Sequence, residues 1–427
     1  SPSAPRTMPH TPDILRIRPD DYDPDDMPVD RARQFIVERL QAVADTERSS
    51  ILEALDRVLA SDIISPMNVP GHDNSAMDGY ALRHADLAAP GATSLEVIGT
   101  AYAGKPFNGN AGSGQCVRVM TGAPIPAGCD CVVMQENVLA KDGRAIIGPG
   151  HRPGQNIRHA GEDLAQGAVA LAAGRALRPA DLGLLASLGI GEVEVRRRLV
   201  VAIFSTGDEL VPVGQGLGDG QIHDSNRYSL HGLLARLGCD VVDLGLVRDD
   251  PGALETALRK AASGADAVIT SGGVSVGEAD YTREVMARLG TVLFWKIAMK
   301  PGRPLAYGEI SGTPYFGLPG NPVSVMVTFY QFVRDALLRL QGRAAEALPL
   351  FTVRCTSPLK KTPGRTEFQR GILWQEDQEW VVAPTGEQGS GILSSMSRAN
   401  CFIVLEQGRG RVEAGETVRV QPFDGIV

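Results

Sequence analysis

The chain has 427 residues, too many for one hydrophobic core, so two to four domains are expected. A net charge of −8 and only 5% aromatic residues argue against nucleic acid as the main partner. No apolar run reaches the ~20 residues of a membrane span, no signal peptide is visible, and the scattered cysteines fit a reducing cytoplasm better than a disulfide ladder or a zinc site.

Residues 1–28 are rich in Pro and Asp and read as a flexible tail. Residues 29–43 carry Ala32, Phe35, Ile36, Leu40 and Val43 at helical spacing. A second helix, capped by Ser49 or Ser50, is expected to carry Leu52, Leu55, Val58 and Leu59. Residues 65–150 hold short β-like runs between Gly and Pro turns, which predicts a mostly β domain. Its loops PGHDNSAMDGYAL, with Asp73 and Asp78, and RVMTGAPIPAGCD, with Thr121, are richly furnished, although turn chemistry alone explains such residues. Residues 151–193 end in an apolar helix expected to pack back on residues 29–64, which makes the β domain an insertion. Residues 194–342 alternate strands and helices, predicting a parallel sheet with ligand at the carboxyl ends of its strands. Residues 345–427 are strand-rich and predict a small barrel or sandwich.

Chemistry concentrates at 265–324. A buried strand runs into SGGVSVGEADY, where Ser271, Gly272, Gly273, Ser275 and Gly277 precede a helix. Glycines let backbone N–H groups approach phosphate oxygens, and a helix N-terminus adds partial positive charge. Asp280 cannot bind phosphate directly, so it implies a bridging divalent cation. Lys296, Lys300 and Arg303 follow, then GLPGNP, where Asn321 is expected to cap a helix whose free N–H groups face a second anion. Each feature alone is weak, since a lone glycine turn is common and Lys and Arg are usually solvated. Together they describe a site for a phosphate-bearing polyanion. STGDEL, RDD, SGGVSVG and LPGNP all fall at strand ends of the expected sheet, whereas HDSN (223–226) is explained by capping through Asp224 or Ser225.

NSAMDGYA (74–81), MTGAPIPAG (120–128), STGDEL (205–210), SGGVSVGEADY (271–281), KPGRP (300–304) and GLPGNPVS (317–324) occur in the order typical of molybdopterin molybdenumtransferases. From about residue 29 to the C-terminus the chain thus resembles the MoeA and gephyrin E-domain family. The resemblance implies a homodimer with a helical dimerisation domain (29–64 and 151–193), an inserted β domain (65–150), a molybdopterin-binding α/β domain (194–342) and a C-terminal β-barrel (345–427). It implies insertion of molybdate into the dithiolene of adenylyl-molybdopterin, with AMP released with the help of Mg2+ or another divalent cation. By motif it assigns catalytic roles to Asp73, Thr121, Glu209, Asp249, Asp280, Lys296 and Lys300, with Glu209, Asp249 and Asp280 on the metal. Ser271, Gly272, Gly273, Ser275, Gly277, Arg303, Pro319, Asn321, Arg370 and Ser390 are assigned to the pterin nucleotide and oxyanion. His72 stands where the family pattern has Phe.

The chemistry is consistent with this assignment. Both substrates are anions, so lysines must offset their repulsion, and phosphoanhydride cleavage needs stabilised charge more than a nucleophile. Two other readings stay open: the preceding adenylyltransferase step, whose enzyme is also a candidate partner, and a gephyrin-like scaffold. Tungstate and molybdate are too alike for the sequence to separate.

Overall fold

The computed structural model describes residues 26–424 except 89, 275–279, 345 and 347. Ser275, Gly277 and most of the expected N-terminal tail therefore lie outside the described residues, as does the side chain of Asp280.

Helix α1 (Val29–Glu38) buries Val29, Ala32 and Ile36, the stripe its spacing predicts. That stripe packs on the α/β domain rather than on a partner helix of its own segment. Phe35 meets Trp295 edge-on with ring centroids 5.2 Å apart. The second helix expected from Ser49 is not formed. Thr46–Ser50 is instead a strand paired antiparallel with Glu192–Arg196, followed by one 3-10 turn, Ile51–Glu53. Its partner lies over 140 residues away, and a local periodicity cannot register so distant a pairing. The apolar helix appears at Pro179–Ser187 and packs, as expected, against 51–63 through Ala54, Leu59, Leu171, Leu177 and Leu185. This module is thus mainly paired strands with one helix.

Inserted between its halves is a six-stranded sheet containing Gly79–Leu82, Thr93–Ala101, Gln115–Val119, Cys131–Met134, Val138–Lys141 and Arg144–Ile147.

The α/β domain has a six-stranded sheet: β1 (Val200–Thr206), β2 (Asp240–Val247), β3 (Ala267–Ser271), β4 (Gly290–Lys296), β5 (Pro304–Ile310) and β6 (Thr313–Leu318), in the order 2-1-3-6-5-4. Strands β2, β1, β3 and β6 are parallel, while β5 runs antiparallel to β6, and β4 to β5. The four strands that the alternation predicts are parallel as expected, and two further antiparallel strands complete the sheet. The segments around FWKIAMKPGRP, read for their cations, are also the return strands. Helices α2 (Asn226–Arg236), α3 (Pro251–Gly264), α4 (Asp280–Leu289) and α5 (Pro322–Thr328) follow strands or strand-end turns. Leucines of α2 and the valines of α5 cover one face of the sheet; α3 and α4 cover the other.

The C-terminal domain closes into a five-stranded barrel. Thr366–Glu376 pairs with both Glu379–Pro384 and Cys401–Leu405, and Phe351–Cys355 and Thr417–Pro422 complete the ring. The barrel is continuous with the α/β core: Tyr330 stacks on Phe423 and meets Phe402 edge-on. A two-residue strand, Met299–Lys300, adds in parallel to Thr366 and Glu367. That pairing fixes Lys300 at the junction of the two domains.

Candidate active site

The carboxyl ends of β1, β3 and β6 and the barrel face enclose a cleft of about 1050 Å³. Its rim is built from strand-end turns, as expected for a doubly wound sheet. Thr206 ends β1 and Gly207 to Glu209 follow it, Asp249 follows β2, Gly272 and Gly273 follow Ser271 of β3, and Pro319 to Asn321 follow β6. The barrel contributes Glu367, Gln369, Arg370 and Ser390, and the junction contributes Lys300. The structure therefore brings ten of the predicted residues to one cavity: Glu209, Asp249, Ser271, Gly272, Gly273, Lys300, Pro319, Asn321, Arg370 and Ser390.

The glycine turn is built as its sequence predicts, with one difference. Gly272 has φ +90°, and a Cβ there would stand 2.4 Å from the Thr206 carbonyl oxygen, so no side chain fits between the β1 and β3 turns. Its N–H, however, donates to the Leu318 carbonyl at 3.1 Å and is spent on the sheet. The second turn differs more. Asn321 makes no side-chain cap on α5; its Nδ2 donates to Ser390 Oγ at 3.0 Å. The N–H of Val323, in the first turn of α5, donates to the Ser390 carbonyl at 3.0 Å. The barrel has taken the donors that the sequence offered to a second anion, because docking the two domains buries this helix end.

Among the predicted site residues that are described, Arg370 is the most deeply buried charge. It is 1% exposed, with Nε donating to Ser395 Oγ at 3.2 Å and Nη1 to the Phe368 carbonyl at 2.9 Å, while Nη2 has no partner. Burial pushes the guanidinium down to about 10, against the pull of Glu367. Arg370 is thus a cleft-lining residue whose buried cation keeps one donor unpaired, and charge-assisted donors of this kind suit oxyanions.

Other predicted residues stand apart from the cavity lining. Lys296 ends β4 on the same sheet edge, paired across to Pro304. Arg303 pairs with Asp26 at 3.1 Å. Asp73 and Thr121 lie in the inserted domain, on two loops held together by the Ser75 and Ala123 backbones. Asp73 accepts from the Ala160 N–H at 2.7 Å and faces His159 Nδ1 at 3.3 Å; these contacts, the Ala160 N–H first, hold its carboxyl below the usual range. Thr121 donates its N–H and hydroxyl to Asp78 at 2.7 and 2.8 Å. Both loops thus follow their turn-chemistry reading within one subunit.

No group of three His, Cys, Asp or Glu side chains converges among the described residues. Glu209 and Asp249 nonetheless put two hard oxygen donors on the cleft, enough for a cation that takes its remaining ligands from phosphate and water. Sequence reasoning missed Asn226, Glu367 and Gln369, which also line the cleft. HDSN was the available signal for Asn226, but neither capping explanation holds. The Ser225 side chain makes no cap bond, and Asp224 is committed to Ser205 Oγ at 3.2 Å and Arg227 Nε at 2.6 Å.

Comparison with known proteins accounts for every domain. Residues 27–189 match the MoeA N-terminal region (domain I and II), 202–339 a probable molybdopterin binding domain, and 352–423 the MoeA C-terminal region (domain IV). The molybdopterin molybdenumtransferase of Haemophilus influenzae is 49% identical over 93% of this chain and 99% of its own length. Gephyrin of Dictyostelium discoideum is 33% identical over 92% of this chain and 61% of that protein. The crystal structure of the molybdopterin biosynthesis MoeA protein of Pyrococcus horikoshii OT3 superposes with a TM-score of 0.82 at 30% identity, over 93% of this chain and all of that one. Full-length identity, domain order and the cleft at the strand ends agree: the chain belongs to the molybdopterin molybdenumtransferase family.

Proposed function

We propose that the chain inserts molybdate into the dithiolene of adenylyl-molybdopterin and releases AMP, in molybdenum cofactor biosynthesis. The observation that carries this is the convergence of strand-end turns, Lys300 and Arg370 on one cleft large enough for a nucleotide-sized anion and an oxyanion together. Lys300 offsets the charge on phosphate, and the buried Arg370 and Ser390 receive the oxyanion. We assign Glu209, Asp249 and Asp280 to Mg2+ or another divalent cation, which would supply charge neutralisation at the phosphoanhydride. Ser271, Gly273, Pro319 and Asn321 shape the phosphate end of the cleft.

Asp73 and Thr121 do not line this cleft, so their assigned roles require delivery from a second subunit of a homodimer. Exposed Leu52, Leu55, Ile64 and Val169 on the module flanking the inserted domain support such pairing. Lys296 and Arg303 act from the sheet edge beside the cleft. Free cysteines support a reducing, cytoplasmic setting, and the enzyme of the preceding adenylylation is a candidate partner for handing over the nucleotide.

The test is AMP release from adenylyl-molybdopterin, measured with molybdate and divalent metal each omitted in turn. Release by the wild-type chain should need both, and Lys300→Ala should slow it at least roughly tenfold. Release that ignores molybdate, or a Lys300→Ala variant as fast as wild type, would defeat the assignment.

A further inference from the structure

Asn226 stands at the first position of α2, 5% exposed, on the wall of the cleft. Its Nδ2 donates to Ser271 Oγ at 2.7 Å and to the Gly320 carbonyl at 2.8 Å. The Gly320 carbonyl can only accept, so this contact fixes which end of the carboxamide is the donor. Ser271 Oγ then receives a hydrogen bond from Asn226, and its own proton has no acceptor among the described residues. Asn226 Oδ1 is buried without a partner, a destabilising arrangement in the fold taken alone. The helix start is itself braced, since Asp224 ties it to Ser205 of β1 and to Arg227.

We infer that Asn226 is a positioning residue for the anion site: it clamps the Ser271 turn to the Gly320 turn and orients the Ser271 hydroxyl as a hydrogen-bond donor into the cleft. A hydroxyl left to itself rotates between donor and acceptor roles; one already receiving a bond from a fixed amide has its proton available for an oxygen of the ligand. The inference rests on the reading of the cleft as a pterin-nucleotide site, and it assigns the residue that makes the two turns act as one.

The experiment is a double-mutant cycle on AMP binding by calorimetry, using wild type, Asn226→Ala, Ser271→Ala and the double variant, with melting temperatures recorded alongside. Each single change is expected to weaken AMP about tenfold, the scale of one hydrogen bond to a charged group. The double variant should be no weaker than the weaker single, because Asn226 acts through Ser271. A residue that merely stabilised the fold would lower the melting temperature and give additive losses. Should Asn226→Ala not fold, the cycle is run with Asn226→Gln, which keeps the amide but displaces it by one methylene. Additive losses, or unchanged AMP binding in the Asn226 variant, overturn the inference while leaving the cleft assignment standing. A wild-type chain that binds no AMP overturns both.

Discussion

The cleft between the sheet and the barrel and the paired loops of the inserted domain are furnished with similar residues, yet they differ in how their charged groups are held. In the loops, Asp73 is held by the Ala160 N–H and His159, and Asp78 takes both donors of Thr121. In the cleft, Arg370 keeps an open donor and Asn226 an open acceptor, both buried. Buried polar atoms without a partner also occur elsewhere among the described residues, Asn74 Oδ1 of the first loop included; what singles out Arg370 and Asn226 is that both residues line the cleft, where a ligand can complete the bonding. The carboxylates of the loops are held within the subunit, and any catalytic part they play depends on a second subunit bringing them to a cleft.

The contrast can be broken most directly at Arg370. Arg370→Met should lower molybdate-dependent AMP release by roughly 100-fold or more, the scale of losing one oxyanion donor. It should leave the melting temperature unchanged or higher, since a partly unsatisfied buried charge is removed. Because burial holds this cation down near pH 10, anion affinity in the wild type should persist below pH 10 and fall as pH rises through it. A large drop in melting temperature with activity retained would make Arg370 structural and erase the contrast.

Gly272→Ala should come next. The left-handed φ of +90° and the 2.4 Å approach to the Thr206 carbonyl together make a loss of about 2–3 kcal/mol in stability the expectation, read by denaturant unfolding. AMP binding should fall with it, because the same shift parts the β1 and β3 turns. A stable variant with wild-type binding would show that the turn is not a rigid wall of the site.

The smallest effect is expected at Asp73. Its carboxyl is held below its ordinary 3.8, so whatever stability it contributes is present above that pH and fades as pH falls through the lowered value. Half-exposed as it is, Asp73→Asn should leave the melting temperature near pH 7 within about 2 °C of wild type, and the two proteins should converge in acid. Loss of activity in Asp73→Asn with no change in AMP binding would sharpen the comparison by assigning this loop to chemistry rather than to ligand capture.

Local signals carried much of this structure. Hydrophobic periodicity located α1 and α4, the Gly and Pro punctuation located the inserted sheet and the barrel, and glycine turns at strand ends located the cleft. Those features depend on contacts between near neighbours, which sequence patterns record. The strand at Thr46–Ser50, the antiparallel return of β4 and β5, and the role of Asn226 escaped because each depends on residues far away in the chain.

The residues able to bind an anion are legible in the chain: Lys300, Arg370, Ser271 and the glycines that let backbones close around them. Only the tertiary structure decided which of them face a common cavity. Barrel docking consumed the donors of Asn321 and Val323, the Leu318 carbonyl consumed that of Gly272, and burial left Arg370 Nη2 open. The physical reason is that a hydrogen bond, once made within the fold, is no longer on offer to a ligand, and which bonds are made is settled by packing rather than by composition.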